Sequence, residues 1–185
     1  DIVTGDGGFD YSNNYNDQEK DSLKLIYSEI FVAINIQKKG GVFICKIFDF
    51  FFKETYQLLY ILYMSYDNIS IYKPCISRLS NSEKYIVCRG FKGYNKNIVN
   101  KMIHHFDDND IDYEINIEFL NIIYQITKKY SVSQIDQINH GINLIKNNQL
   151  KRQPTGDQIE VAIEWCRKYN IKINEGCIYL NGAIS

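Results

Sequence analysis

Three polar residues stand at the ends of apolar runs, and together their types could hold and move a proton. Asp6 follows "DIVTG", Lys46 lies inside "GGVFICKIFD", and Glu83 opens "NSEKYIVCRGF". Short apolar runs of this kind read as β-strands, and open α/β sheets bind their ligands at one edge, beyond the strand ends. An acid, an amine and an acid would converge there, with the carboxylates holding the ammonium and sharing its protons. An amine accepts a proton near neutral pH only if burial or a second cation brings its pKa down from about 10.4. Phe43, Ile44, Ile47 and Phe48 supply apolar surroundings for Lys46. Taken singly, each residue has a plainer reading: a strand-end salt bridge for Lys46, a turn former for Asp6 before Gly7 and Gly8, and a cap for Glu83.

The same segments carry a family resemblance. In this order, "DIVTGDGGFD", "GGVFICKIFDFF" and "KPCISRLSNSEKYIVCRGF" resemble the FtsJ-like ribose 2′-O-methyltransferases, nearest to the branch that methylates the first nucleotide of capped messenger RNA. That family uses a Lys-Asp-Lys-Glu tetrad, and Asp6, Lys46 and Glu83 fall on its last three members. The resemblance implies S-adenosylmethionine as cofactor, with Lys46 as candidate base, Asp6 orienting either the methyl donor or the lysine pair, and Glu83 steering either the ribose hydroxyl or Lys46. It also implies substrate contacts at Asn16, Asp17 and Gln18, where the family pattern Asn-x-Gln is kept, and at Asn81. Amides suit RNA because they donate to phosphate and accept from the 2′-hydroxyl, and Arg78 in "SRLSNSE" adds a guanidinium suited to phosphate. Phe9, Tyr11, Tyr15 and Phe50 to Phe52 are aromatics that could stack on a base or a cap.

The expected function is therefore methyl transfer from S-adenosylmethionine to a ribose 2′-hydroxyl of RNA, with capped mRNA as the first substrate. Two alternatives stay open: a ribosomal-RNA methyltransferase of the same family, and a catalytically inactive member serving as an RNA-binding or assembly domain. The first Lys of the tetrad and the family's glycine-rich cofactor loop have no counterpart in the 185 residues. The chain is thus expected to be a piece of a longer protein, with a preceding segment or a partner supplying both.

These residues need a scaffold, and the chain reads as strand, helix, strand, helix, strand, strand over its first half. "DIVTG" suits a parallel strand buried on both faces. Leu23, Ile26, Tyr27, Ile30, Phe31 and Ile34 have helical spacing, with Asp21 or Ser22 as cap and Gly40-Gly41 as stop. "VFICKIF", a helix over 55–64, "NISIYK" and "YIVCRGF" follow. The last link is too short for a parallel crossover, so the fourth strand should be antiparallel. The fold class is α/β: the C-terminal half of a Rossmann-like methyltransferase sheet in residues 1–92, then a helical extension over 93–185. Four stretches of helical spacing make up that extension, "NKNIVNKMIHHF", "NIEFLNIIYQITKKY", "SQIDQINHGINLIKNN" and "GDQIEVAIEWCRKYNI", the last set off by Pro154 and Gly156.

A hydrophobic content of 45% over this length supports a substantial core. The net charge of -1 and pI near 6.3 do not mark a globally basic nucleic-acid binder, so RNA contacts must be local. Lys38, Lys39, Lys46, Lys53, Lys73, Arg78, Lys84, Arg89 and Lys92 are expected to concentrate positive charge near the site. Five scattered cysteines without a C-x-x-C pair speak against zinc or a disulfide framework and for a reducing compartment. No apolar stretch is long enough to span a bilayer, and an intracellular protein is expected, with nucleus, cytoplasm and a viral replication zone all open.

Overall fold

The computed structural model describes residues 1–9, 17–109, 111–149 and 153–180. It resolves into two compact units, Asp1–Ile135 and Asp136–Ser185. In the first, β1 (Ile2–Gly5), α1 (Gln18–Ile36), β2 (Val42–Ile47), α2 (Lys53–Ser65), β3 (Tyr66–Tyr72) and β4 (Lys84–Phe91) build one four-stranded sheet in the order β1-β2-β4-β3. β1 and β2 are parallel, and β4 runs antiparallel to both of its neighbours. Inserting β4 this way follows from the short link before it, and it has a consequence for chemistry. The start of β4 lies at the same sheet edge as the ends of β1 and β2.

Side chains alternate between faces along each strand, and the alternation is sharp in β2. Phe43, Cys45 and Ile47 are buried, as are Lys84, Ile86 and Cys88 opposite them on β4. Against this face pack α1, through Ile26, Tyr27, Ile30, Ala33 and Ile34, and α2, through Leu58, Leu59, Ile61 and Leu62. Each Ile and Leu among them contributes about 1.5–3 kcal/mol by leaving water. The opposite face carries Ile44, Lys46, Tyr85 and Val87, all partly exposed. Because both helices lie on one side, β1 is not buried on both faces as its composition suggested: Ile2 is 68% exposed.

α1 begins three to four residues earlier than its expected cap. Ser22 lies one full turn inside the helix, its hydroxyl donating back to the carbonyls of Gln18 and Glu19, while the N-cap position falls to Asp17 without a side-chain cap bond. Glu19 has a different task. Its buried carboxylate accepts from the backbone N–H of Phe51 and Phe52, at the start of α2, where a helix N-terminus favours negative charge.

Beyond the sheet, α3 (Lys96–His104) is capped by Asn95, whose side chain accepts from the N–H of Asn97 and Ile98. Its Ile98, Val99 and Met102, with Ile111, Phe119 and Ile123, join the same core. The two central helical stretches are one continuous helix, α4 (Ile117–Lys146), since the 131–132 junction holds neither Gly nor Pro to end it. In the second unit α5 (Gly156–Lys168) starts at a capping box between Thr155 and Gln158. All five cysteines are free, with Cys45 and Cys88 in the core.

Candidate active site

Lys46 and Asp6 meet at the edge formed by the ends of β1 and β2. The Lys46 Nζ lies 3.1 Å from Asp6 Oδ1 and also donates to the Asp6 carbonyl at 3.2 Å. The amine is only 15% exposed, the acid 71%. Two features of the "GDGG" turn allow this. A Cβ on Gly8 would stand 3.2 Å from Lys46 Nζ, so the absent side chain gives the amine its room. Glu29 of α1 fixes the turn from beneath, accepting from the Gly7 N–H at 2.8 Å.

Glu83 bonds not to this pair but to Tyr85, a residue absent from the sequence-based candidates. Tyr85 is paired directly across from Lys46 in the β2–β4 register, and its hydroxyl donates to Glu83 Oε1 at 3.2 Å. Burial raises the Tyr85 pKa, and the charges of Glu83 and then Asp6 raise it further. The tyrosine therefore senses both carboxylates. Among the described residues Lys46 makes its ion pair with Asp6 and none with Glu83. The signal for Tyr85 was available as period-2 spacing from Glu83, which puts both on one face.

The substrate candidates divide. Asn16 lies outside the described residues. Asp17 is exposed at the start of α1, and Gln18 beside it accepts from the Ser82 hydroxyl at 2.7 Å. This bond brings the 17–18 segment against the loop that carries Asn81 and Glu83. Asn81 Oδ1 accepts from Lys73 Nζ at 2.8 Å, while Arg78 is exposed on the same loop. Of the aromatics, Phe50 is buried, whereas Phe9, Phe51 and Phe52 are exposed; Tyr11 and Tyr15 lie outside the described residues.

Positive charge is less concentrated at the site than expected. Arg89 pairs with Val42 at the far end of β2 from Lys46, about 13 Å away at the rise of a strand, and Lys38, Lys39 and Lys92 flank that same end. Lys84 is turned into the core. It is 2% exposed, 3.0 Å from Asp49 Oδ1, and lies over the rings of Phe50 and Tyr130. Burial depresses its pKa despite the Asp49 carboxylate. Among the described residues no group of three or more His, Cys, Asp or Glu could hold a metal ion, and no helix is long and apolar enough to cross a membrane.

Comparison with known proteins accounts for the same stretch. Residues 1–91 match the family model described as FtsJ-like methyltransferase, and the match ends where β4 ends. The cap-specific mRNA (nucleoside-2′-O-)-methyltransferase 1 of Xenopus laevis is 36% identical over 117 residues, 60% of this chain and 14% of that protein. Its human counterpart is 41% identical over 91 residues, 49% of this chain and 11% of that protein. The cap-specific mRNA (nucleoside-2′-O-)-methyltransferase 1A of Caenorhabditis briggsae is 40% identical over 91 residues. The chain spans 14% or less of the length of these relatives.

Proposed function

We propose, from the membership of residues 1–91 in the FtsJ-like methyltransferase family, that this chain is part of an enzyme that methylates the ribose 2′-hydroxyl of the cap-proximal nucleotide of mRNA. The observation that carries the reading is the Asp6–Lys46 pair at 3.1 Å, with Glu83 and Tyr85 beside it. Residues 1–92 form the sheet-bearing part of that catalytic domain, and 93–185 a helical extension. An mRNA substrate places the reaction inside the cell. The relatives named for cap methylation favour this over a ribosomal-RNA substrate.

S-adenosylmethionine, when bound, supplies the methyl group on an activated sulfonium. The residues present fit such a cationic donor, because the Asp6 carboxylate is largely exposed next to two glycines; Asp6 would hold it. With the second cation supplied by the first Lys of the tetrad in the full-length protein, Lys46 gives up one proton beforehand, its free amine accepts the proton of the 2′-hydroxyl at Nζ, and Asp6 keeps the resulting ammonium in place. Glu83, oriented by Tyr85, fixes the hydroxyl. Asp17, Gln18, Asn81 and Arg78 bind the RNA, and the family resemblance assigns Asn16, outside the described residues, to the same task. Alignment of the reacting atoms supplies about 7–11 kcal/mol of the barrier lowering, and the base a further factor of roughly 10²–10⁴.

The test is Lys46→Ala in the full-length protein, assayed by transfer of labelled methyl to capped RNA. Activity should vanish with the fold intact by circular dichroism. Retained activity removes Lys46 as base.

A further inference from the structure

Three successive carbonyls precede the first residue of β4, and each is bound by a lysine ammonium. Lys73, just past β3, donates to the Asn81 carbonyl at 2.9 Å, to Asn81 Oδ1 at 2.8 Å and to the Glu83 carbonyl at 2.8 Å. Lys84 donates to the Ser82 carbonyl at 2.5 Å and to Asp49 Oδ1 at 3.0 Å. An ammonium has three donors, and those of Lys73 are matched by three oxygens of one tripeptide. The tripeptide is the one that ends in Glu83.

We propose that Lys73 and Lys84 form an ammonium clamp that positions Asn81 and Glu83, so that Lys73 acts on the reaction through them without touching the substrate. This rests on the methyl-transfer reading above. The loop from Pro74 to Ser82 has only two backbone turn bonds of its own, Ser77 to Pro74 and Asn81 to Arg78. Gln134 of α4 also donates to the Ser80 carbonyl at 3.3 Å, but none of these bonds reaches Asn81, Ser82 or Glu83 from β3 or β4. The clamp does so, and the Ser82 hydroxyl then reaches Gln18, which joins the loop to the segment before α1. With its backbone carbonyl held by Lys73, Glu83 keeps its carboxylate for Tyr85. Packing two cations here costs stability, since burial depresses both lysine pKa values and the Lys84 charge adds to the effect at Lys73. A site that carried only packing would be served by apolar residues.

The full-length protein with Lys73→Met, Lys73→Gln and Lys73→Arg tests this, with Lys46→Ala as reference. The readouts are kcat and KM per folded molecule and amide hydrogen exchange along the chain. With Lys73→Met, kcat should fall about tenfold or more, and amides of residues 76–83 should exchange about tenfold faster while β2 and α1 stay protected. Lys73→Gln should be intermediate and Lys73→Arg should recover part of kcat. If Lys73→Met does not fold, Lys73→Gln and Lys73→Arg carry the same comparison. Unchanged exchange over 76–83 with kcat within twofold of wild type, while Lys46→Ala is inactive, overturns the clamp. An active Lys46→Ala would instead overturn the reaction assignment and leave the exchange result to decide the clamp.

Discussion

Lys46 and Lys84 sit on adjacent strands, one register step apart, and face opposite sides of the sheet. Each pairs with an aspartate at close to 3 Å. Their surroundings differ. Lys84 is enclosed by two aromatic rings and a backbone carbonyl, whereas Lys46 looks across a glycine turn toward an acid that is mostly in solvent. A lysine walled in this way holds structure. One left beside an open acid, with a glycine clearing its path, has room for a reacting group.

That contrast can be broken by exchanging the consequences. Lys46→Ala should abolish transfer and leave stability nearly unchanged, since the acid left behind is mostly in solvent and a pair with an exposed partner contributes about 0–1 kcal/mol. Lys84→Ala should do the reverse first. Removing one partner of a buried pair costs about 3 kcal/mol, read as a lower urea midpoint, with activity suffering through the loosened Ser82 loop. Equal losses of stability in the two variants would erase the distinction. A smaller effect sharpens it: Gly8→Ala puts a methyl group 3.2 Å from Lys46 Nζ, so the amine must shift by a few tenths of an ångström. Turnover should drop about tenfold with the thermal midpoint unmoved.

Much of this was legible in the chain itself. β2 and β4 announced themselves by apolar runs, and the antiparallel sense of β4 followed from the length of the loop before it. Asp6 and Lys46 were readable because the strand ends fix their position. The role of Lys84 was not, because "SEKYIVC" gives no sign of which lysine turns toward Asp49, a residue 35 positions away. Glu19 illustrates the same limit: a first-turn acid in α1 whose partners, Phe51 and Phe52, become neighbours only once α1 and α2 pack. The sequence shows two stretches of helical spacing where the structure has the single helix α4, whose backbone bonds continue through. Long-range side-chain partners, more than element identities, needed the three-dimensional structure.

The central claim is that the edge holding Asp6, Lys46 and Glu83 acts on one ribose oxygen. The most direct measurement gives the full-length protein two capped RNAs that differ only at the first nucleotide, one with a 2′-hydroxyl and one with a 2′-deoxyribose, and follows labelled methyl. Label should enter the first RNA and be absent from the second. Equal labelling of both would contradict the account.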